Sequence, residues 1–285
     1  MSSKLLALYG LKYNPFTPDV PAEALHIYPT LQNFYWRIEH SLLREGGFAL
    51  ISGEAGTGKS VALRVLAERL QSVRDVQVGA LTHPSARLSD FYRELGELFG
   101  VSLNVHNRWH GFKSLRERWQ HHLESTLMRP VLLIDEAQEM PPCVLNELRL
   151  LTSSQFDSKV LLNVILAGDQ RLNDKLRREE LIPLGSRLRI RLTTEYASPE
   201  QLMEGLDHLL TQAGNPRLMN DELKRTLCEH AVGNYRLLCN MAHELLTVAV
   251  QQESTQLDEK LYLECFAVAA PPRKPKQPLS GGRHG

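Results

Sequence analysis

The chain has 285 residues, of which 42% are hydrophobic and 23% are charged, and its formal net charge is zero. This composition is typical of a soluble globular protein with one domain of ordinary size and a smaller one. We find no run of 18 apolar residues and no signal peptide, so we expect no membrane partner. The four cysteines are scattered without a C-x-x-C pair. This pattern excludes a disulfide or metal framework and predicts reduced thiols in the cytoplasm.

The pattern of the chain divides it into four parts. Residues 1–47 predict a loop rich in proline and aromatic residues, followed by a helix, and we expect them to pack on the core. Residues 48–196 alternate short apolar runs with helical patterns, which is typical of an α/β domain with a parallel sheet. Residues 197–268 read as four helices and predict a small helical lid. Residues 269–285 form a basic tail that we expect to be disordered. The predicted strands are GFALISG, DVQVGALT, PVLLIDEAQ, KVLLNVILAGD and LRIRLTT.

The run GEAGTGKS, residues 53–60, fits the phosphate-binding pattern G-x-x-x-x-G-K-[ST] at every fixed position. An apolar strand precedes it and a helix follows, and this context argues against a chance match. Lys59 is expected to reach the β- and γ-phosphates of ATP, and Ser60 to bind Mg²⁺ through its hydroxyl. The predicted nucleotide-binding residues of this loop are Gly53, Glu54, Ala55, Gly56, Thr57, Gly58, Lys59, Ser60 and Val61.

The third apolar run ends in two acids, Asp135 and Glu136, in the sequence VLLIDEA. A carboxylate at the end of a buried strand is costly unless a cation or hydrogen bonds satisfy it. We therefore predict that Asp135 supports the Mg²⁺ and that Glu136 orients and polarises the attacking water. The alternative is that Glu136 only caps the next element. Two adjacent carboxylates favour hydrolysis over passive nucleotide binding.

Charged and polar residues after the fourth and fifth strands are further candidates. Asp169 and Gln170 follow the fourth strand, close to the expected position of the phosphates. An acid that faces a γ-phosphate is unfavourable, so either Gln170 contacts the phosphate or Asp169 points elsewhere. Arginines 187, 189 and 191 alternate with apolar residues and are predicted to share one face of a strand. They form either an arginine finger for a neighbouring subunit or a solvated, salt-bridged face.

The order of these parts resembles that of the AAA+ ATPases over roughly residues 9–265. Three segments, YGLKYNPF, DEAQ and GNYRLLCNMA, narrow the resemblance to the ATPase domain of ExeA-type secretion proteins and to related transposition ATPases of the TniB, TnsC and IstB-like group. The resemblance implies a P-loop core with a parallel five-stranded sheet of order 5-1-4-3-2, a C-terminal helical lid, and ATP-driven homo-oligomers in a ring or helical filament. It also implies a nucleotide-contacting arginine in the lid, which is Arg236 here, and a finger from the neighbour, for which we select Arg187. The family commonly has Asn, Thr or Gln where Asp169 stands.

A basic and aromatic stretch lies between the second and third predicted strands. Residues 101–130 contain five Lys/Arg and two Glu, which gives a local charge of about +3 in a neutral chain. Such residues neutralise phosphates without reading bases, so we predict sequence-tolerant contact with double-stranded DNA. The alternative is that Trp109, Phe112 and Trp119 are the buried face of a helix whose other side is charged. The candidate DNA-binding residues are Arg108, Lys113, Arg116 and Arg118.

These observations lead to one prediction and two alternatives. Secretion proteins of the ExeA type carry a transmembrane helix and a peptidoglycan-binding part after the ATPase, whereas this sequence ends in a basic tail. We therefore predict an ATP-dependent AAA+ ATPase that oligomerises on DNA and recruits a transposase or a transposition adaptor protein. The first alternative is an ATPase of a secretion or envelope-assembly system with no DNA role. The second is a nucleotide-dependent switch with little turnover. Arg273, Lys274 and Lys276 of the tail either hold DNA or transposase or only solubilise the chain.

Overall fold

The fold is built around a five-stranded parallel sheet. The computed structural model describes residues 2–103, 107–155, 158–254 and 256–266, and the predicted basic tail lies outside these ranges. The five strands lie in the order β2-β3-β6-β1-β7, and numbering only these five along the chain gives 5-1-4-3-2 from the other edge. The prediction of a parallel α/β sheet is confirmed. The strands are β1 (Phe48–Gly53), β2 (Val76–Leu81), β3 (Arg129–Ile134), β4 (Ser153–Ser154), β5 (Lys159–Val160), β6 (Asn163–Gly168) and β7 (Leu188–Thr194).

Helices cover both faces of this sheet and form a separate bundle after it. The helices are α1 (Ser2–Tyr9), α2 (Pro29–Arg37), α3 (Leu43–Glu45), α4 (Lys59–Gln71), α5 (Leu88–Phe99), α6 (Arg108–His121), α7 (Pro142–Leu151), α8 (Gln170–Leu176), α9 (Ile182–Gly185), α10 (Pro199–Ala213), α11 (Asp221–Ala231), α12 (Tyr235–Gln251) and α13 (Glu259–Phe266). In the described ranges, none of these helices has both the length and the apolar character required to cross a bilayer.

The central strands are buried on both faces, which explains their continuous apolar sequence. All six residues of β6 are buried, as expected of a parallel strand with helices on each side. Alternate residues of β1 point to opposite faces of the sheet. Phe48 and Leu50 belong to the core beneath α5, α6 and α7. Ala49 and Ile51 belong to the core beneath α2 and α4. The strand pattern thus fixes a three-layer α/β/α arrangement.

The N-terminal segment differs from the sequence prediction. Leu5, Tyr9 and Phe16 belong to the apolar core of the bundle α10–α13, not to a core of the sheet. Tyr9 also donates a hydrogen bond from its hydroxyl to the carbonyl of Ser254, at 2.8 Å. The start of the chain therefore packs with the bundle, because the short helix α1 buries its apolar side on α12. Residues from Ala22 onward do pack on the sheet.

The fourth predicted strand begins later than the sequence indicates. Lys159–Val160 forms β5, which pairs antiparallel with β4. The N–H groups of Leu161 and Leu162 then both donate to the carbonyl of Thr152, which turns the chain before β6 begins at Asn163. The apolar run KVLLNVILAGD is therefore two strands, and a local backbone turn that its composition does not reveal divides them.

Candidate nucleotide-binding site

The loop after β1 has the backbone that a phosphate-binding loop requires. Gly56 and Gly58 have φ values of +81° and +96°, which lie in the left-handed region that favours glycine. Gly58 is also the N-cap of α4, so the chain turns from the end of β1 directly into the helix. The loop therefore lies at the positive N-terminal end of α4, where backbone N–H groups can bind an anion.

Lys59 lies on the inner side of this loop. The side chain is only 7% exposed, and its Nζ donates a hydrogen bond to the carbonyl of Glu54 at 2.9 Å. The hydroxyl of Thr57 donates to the same carbonyl at 2.8 Å. Ser60 and Val61, the next two residues of α4, are exposed. A phosphate would give the Lys59 ammonium a charged acceptor in place of a neutral carbonyl, and such hydrogen bonds are about twice as strong.

Thr194 anchors the loop to the end of β7, and the sequence analysis did not identify it. Its hydroxyl shares a hydrogen bond with the hydroxyl of Thr57, at 2.7 Å. Gly53 and Thr194 are paired in the parallel register of β1 and β7. A Cβ on Gly53 would lie 2.1 Å from Thr194 Oγ1, so only glycine allows this approach. The link joins positions 137 residues apart in sequence, and no local pattern reports it.

Asn234 joins the helical bundle to the loop, and it too is absent from the sequence prediction. Its Nδ2 donates to the carbonyl of Ala55 at 3.2 Å, while its Oδ1 caps α12 by accepting from the N–H of Leu237 at 3.0 Å. The N–H of Tyr235 donates to the carbonyl of Gly56 at 3.1 Å. The N-terminus of α12 therefore rests directly on the glycine-rich loop, and the exposed Arg236 follows as the second residue of that helix.

Asp135 and Glu136 follow β3 at the same edge of the sheet as the loop, because the carboxyl ends of parallel strands meet there. Glu136 has a φ of +50° and is exposed, and its N–H donates to Asp135 Oδ1 at 2.9 Å. A left-handed backbone at a non-glycine residue is uncommon and is typical of functional sites. The turn separates the two acids: Asp135 continues from the strand, and Glu136 projects towards solvent.

Gln138 connects Glu136 to the end of β6. Its side chain is 4% exposed, its Nε2 donates to Glu136 Oε2, and its Oε1 accepts from the N–H of Asp169 at 3.2 Å. The sequence analysis used the DEAQ segment only as a family marker and assigned no role to this residue. Its role depends on the contact with Asp169, 31 residues away, which no local sequence pattern predicts.

Asp169 and Gln170 have distinct surroundings. Asp169 is the N-cap of α8, where its Oδ1 accepts from the N–H of Arg171 and its Oδ2 from the Arg171 guanidinium, both at 2.9 Å. Burial raises the pKa of Asp169, but the hydrogen bonds from Arg171 outweigh this effect and hold the pKa below its usual value. The Asp169 carboxylate is therefore occupied by its own helix. Gln170 is exposed at the first position of α8, and its Oε1 accepts from Asn173 Nδ2 at 3.2 Å.

The oxygen donors at this edge fit a magnesium ion. Ser60 presents an exposed hydroxyl in the first turn of α4, and Asp135 presents a partly exposed carboxylate after β3. Mg²⁺ prefers oxygen ligands and is usually held by one or two protein groups together with phosphate oxygens and water. The hydrogen bond from the Glu136 N–H fixes the orientation of the Asp135 carboxylate. These two residues are the chain's own candidates to hold the ion beside a triphosphate.

The three candidate finger arginines do not share one strand face. Arg189 and Arg191 are exposed on β7, and Arg189 forms an ion pair with Glu45 at 2.8 Å. Arg187 precedes the strand, is partly buried and donates to the carbonyl of Pro183. β7 begins at Leu188, so only Arg189 and Arg191 belong to the strand.

Arg187 lies far from the loop of its own chain. In the parallel register, Leu188 is paired with Phe48 and Thr194 with Gly53. Arg187 therefore lies at the end of the sheet opposite to the glycine-rich loop. Thr194 is seven residue steps further along the chain, which corresponds to roughly 20 Å in a strand.

Two of the four candidate DNA contacts are engaged within the chain. Arg108 donates from Nε to Glu147 Oε1 at 3.0 Å, and the hydroxyl of Tyr92 donates to the same oxygen at 2.5 Å. Burial raises the pKa of Glu147, but hydrogen bonds from Arg108 and Tyr92 outweigh it and lower the pKa below its usual value. Arg116 lies over the ring of Phe112 at 4.9 Å and donates to the carbonyl of Leu150 at 2.8 Å. Both arginines thus fasten α6 to α7.

The other side chains of α6 divide between core and surface. Trp119 is fully buried and packs edge to face on Phe99, as the amphipathic alternative predicts. Trp109 is 71% exposed and stacks on the partly buried Phe112 with a centroid distance of 5.9 Å. Lys113 and Arg118 are exposed, and Lys113 lies 3.7 Å from Glu117. The exposed side of α6 therefore combines an open indole with two cations.

The comparisons with known proteins agree with this site. A family model described as "AAA domain" matches residues 42–176, a segment that contains the loop, Asp135, Glu136 and Asp169. The chain is also 31% identical over 191 residues to general secretion pathway protein A of Aeromonas hydrophila. The alignment covers 66% of this chain and 33% of that protein, so the chain spans about a third of the relative's length.

The fold is similar to that of solved AAA+ structures. Cdc6p from Pyrobaculum aerophilum superposes with a TM-score of 0.69 and 17% identity, covering 85% of this chain and 67% of that one. The Aeropyrum pernix ORC1 protein, solved in complex with DNA, gives a TM-score of 0.68 and 16% identity over 89% of this chain and 68% of that one. At these identities the likeness is one of fold. An α/β fold with a parallel five-stranded sheet, similar to the fold of these structures, is therefore confirmed.

Proposed function

We propose that the protein hydrolyses ATP at the carboxyl edge of the sheet and uses the nucleotide state to control its assembly on double-stranded DNA. One observation carries the proposal. The glycine-rich loop, the Asp135–Glu136 pair and the N-terminus of α12 meet at a single edge, with Asn234 and Tyr235 hydrogen-bonded to the loop. Because the bundle contacts the loop directly, the nucleotide bound in the loop can affect the position of the helical bundle.

The hydrolytic step assigns one role to each residue. Backbone N–H groups of residues 54–58 and the Lys59 ammonium bind the phosphates and offset the charge that develops on them. Ser60 and Asp135 would hold Mg²⁺, which would supply additional neutralisation of the phosphate charge when bound. Glu136 orients a water molecule and accepts its proton as the oxygen attacks the γ-phosphorus. The bond to the β-phosphate oxygen breaks, and ADP and inorganic phosphate result.

The proposal also places the bound nucleotide between two subunits. Arg187 lies roughly 20 Å along β7 from its own loop, so a phosphate contact by Arg187 requires the loop of another copy. Because the finger then comes from the neighbour, ATP bound at the boundary favours a homo-oligomer, either a ring or a filament. Arg236, at the start of α12, is the candidate cation from the same chain.

The DNA part of the proposal rests on α6. Lys113 and Arg118 are exposed, and the neighbouring Trp109 offers an indole face. Exposed Lys and Arg side chains give salt-sensitive, sequence-tolerant affinity for phosphates, and the indole beside them adds apolar contact area to the same surface. The complex of the similarly folded ORC1 protein with DNA is consistent with this use of the fold. Arg108 and Arg116 contribute less, because intrachain contacts already hold them.

A secretion role is the second candidate, and a specific observation favours it. The 31% identity to general secretion pathway protein A covers 191 residues, a more direct relation than the likeness of fold to ORC1. In that case α6 binds a protein of a secretion or envelope-assembly system. Recruitment of a transposase or adaptor by the DNA-bound form remains a prediction that rests on the TniB, TnsC and IstB-like resemblance.

Phosphate release from purified protein tests the hydrolytic part. We expect measurable turnover that falls to background in Lys59→Ala, because the loop loses its cation, and at least 100-fold in Glu136→Gln, because water loses its base. Glu136→Gln should still bind ATP, as a fluorescent ATP analogue will report. Nucleotide binding with no turnover in the unmodified protein would instead indicate a switch.

Fluorescence anisotropy of a random-sequence duplex tests the DNA part, with ATP, a non-hydrolysable analogue, ADP and no nucleotide. We expect binding that requires ATP or the analogue and that weakens steeply with salt. Lys113→Ala/Arg118→Ala should reduce the slope of log K against log salt by about two. Arg225→Ala/Lys260→Ala, which removes two exposed cations from the helical bundle, is the matched control.

Trp109→Ala provides a further comparison. It should weaken DNA binding, whereas Trp36→Ala should not, because Trp36 is 53% exposed but lies on α2. Turnover without duplex binding in any nucleotide state would refute the DNA role and direct attention to a protein partner.

A further inference from the structure

Gln138 contacts both Glu136, the proposed base, and the turn that follows β6. Its side-chain amide donates to Glu136 Oε2 and accepts from the N–H of Asp169, the first residue after β6. Only one orientation of the amide satisfies both partners, because a carboxylate requires a donor and an N–H requires an acceptor. Gln138 is 4% exposed, so these two partners, and not water, satisfy the hydrogen-bonding groups of its amide.

The surroundings fix this amide in place. A Cβ on Gly168 would lie 2.6 Å from Gln138 Oε1, so glycine at the end of β6 makes room for it. On the other side, Lys175 of α8 donates from Nζ to the carbonyls of Gln138 and Met140. Burial lowers the pKa of Lys175, which indicates an ammonium set into the protein rather than one in bulk water. The backbone and the side chain of Gln138 are therefore both positioned by the segment that follows β6.

We propose that Gln138 is a positioning residue that sets the direction of the Glu136 carboxylate according to the position of the turn after β6. The inference rests on the proposed hydrolytic function. The end of β6 lies between β1 and β3, so the turn at Asp169 is next to the expected terminal phosphate. A shift of the Asp169 N–H displaces Gln138 Oε1, and the rigid amide transfers that shift to Glu136. Glu136 itself stands in a left-handed backbone with φ of +50° and depends on such contacts for its orientation.

A purely structural role makes a different prediction. If Gln138 only stabilises the buried turn, its loss lowers folding stability and changes nucleotide affinity and turnover together. If it positions Glu136, its loss lowers kcat while the affinity for ATP is retained, because Glu136 acts in the transition state and not in binding. A displacement of about 1 Å at a reacting group can reduce the rate on the order of 100-fold.

Two substitutions distinguish the positioning role of Gln138 from a purely structural role. Gln138→Met retains the length and the burial of the side chain but removes both hydrogen bonds. Gln138→Glu retains the acceptor for the Asp169 N–H but sets a second carboxylate against Glu136. The new side chain no longer donates to Glu136 and repels it instead, so kcat of Gln138→Glu should fall while the affinity for ATP is retained.

The experiment measures kcat, KM and the dissociation constant of a fluorescent ATP analogue for the full chain and both variants. We expect kcat of Gln138→Met to fall about 10- to 100-fold, with the dissociation constant changed less than threefold. The control is Asn163→Leu, which removes a buried amide at the opposite end of β6 and should leave kcat unchanged.

Every outcome decides between the readings. An unchanged kcat in Gln138→Met, or a parallel loss of affinity and melting temperature, overturns the positioning role, as does an unchanged kcat in Gln138→Glu. If the unmodified protein shows no turnover at all, the hydrolytic proposal fails first and the role of Gln138 fails with it. Turnover in the unmodified protein with insensitive variants removes only the latter.

Discussion

Asn234 combines two contacts in one side chain, since its Oδ1 caps α12 and its Nδ2 holds the loop carbonyl of Ala55. A Cβ on Gly56 would lie 2.0 Å from that Oδ1, so the two segments are in close contact. Replacing Asn234 by alanine should lower the free energy of unfolding by about 1 kcal/mol, the usual value of an N-cap. It should also change ATP affinity several-fold, because α12 no longer holds the loop. Urea unfolding and titration with a fluorescent ATP analogue measure the two effects.

The bundle provides a matched control for this variant. Asn220 caps α11 by accepting from the N–H of Leu223 at 2.9 Å, the same contact one helix earlier. Asn220→Ala should lose a similar free energy of unfolding but leave ATP affinity unchanged. Equal affinities for the two variants would mean that the contact between Asn234 and the loop has no role in nucleotide binding.

The residues that sequence reasoning identified and those it missed differ in a physical way. Lys59, Asp135 and Glu136 belong to short motifs in which neighbouring residues create the chemistry, so spacing alone predicts them. Thr194 and Asn234 act on the loop from positions 137 and 179 residues away. Only the register of β1 with β7 and the packing of the bundle place these side chains there, and neither is written in a local pattern.

At the scale of elements, the sequence predicted the parallel sheet well because its strands are continuous apolar runs covered on both faces. It failed where a backbone contact divides one run, as Thr152 does before β6. It also failed for α1, whose apolar side is explained only by the bundle on which it packs. In α6 the sequence pattern predicted the charged and aromatic residues. It did not predict that Arg108 and Arg116 contact α7, because those partners are set by the packing of the two helices.

The attachment of α6 to α7 gives a pH-dependent prediction. Glu147 is 2% exposed, and Arg108 and Tyr92 lower its pKa. A carboxylate with a lowered folded pKa stabilises the protein above its unfolded pKa, about 4.3 for glutamate, and this contribution is lost as the pH falls through the folded pKa. Arg108→Ala should lower the free energy of unfolding at pH 7 by about 2 kcal/mol, because a buried charge loses its main partner. The difference should shrink as the pH falls below about 4, where Glu147 takes up a proton.

Denaturant unfolding from about pH 2.5 to about pH 8 measures this difference. Lys113→Ala is the control, because Lys113 forms only an exposed contact with Glu117 in the same helix, and such pairs contribute about 0.5 kcal/mol or less. A difference for Arg108→Ala that stays constant over the whole range would show that the ion pair with Glu147 is not its cause. DNA affinity of Arg108→Ala should follow its folded fraction, since that arginine serves packing.

At the scale of the whole molecule, the two ends of the sheet carry different parts of one proposed reaction. The loop and Glu136 lie at the carboxyl ends of the strands, whereas Arg187 precedes β7 at the opposite end. No single copy can bring these parts together across roughly 20 Å of strand. A chain that needs Arg187 for hydrolysis must therefore pair its loop with the Arg187 end of another copy, and its activity should rise with protein concentration.

Mixing two inactive variants tests this arrangement. Arg187→Ala retains the loop but lacks the finger, and Lys59→Ala lacks a functional loop but retains the finger. Each alone should hydrolyse ATP at least 100-fold more slowly than the unmodified protein, and their mixture should recover part of the activity, because the loop of the first receives the finger of the second. Phosphate release at a fixed total concentration and varied ratio should reach a maximum at intermediate mixtures. Arg191→Ala in place of Arg187→Ala identifies which arginine acts, since Arg191 is exposed on β7 itself. A mixture that is no more active than its components would mean that Arg187 serves no neighbouring site, and its contact with Pro183 would then account for it.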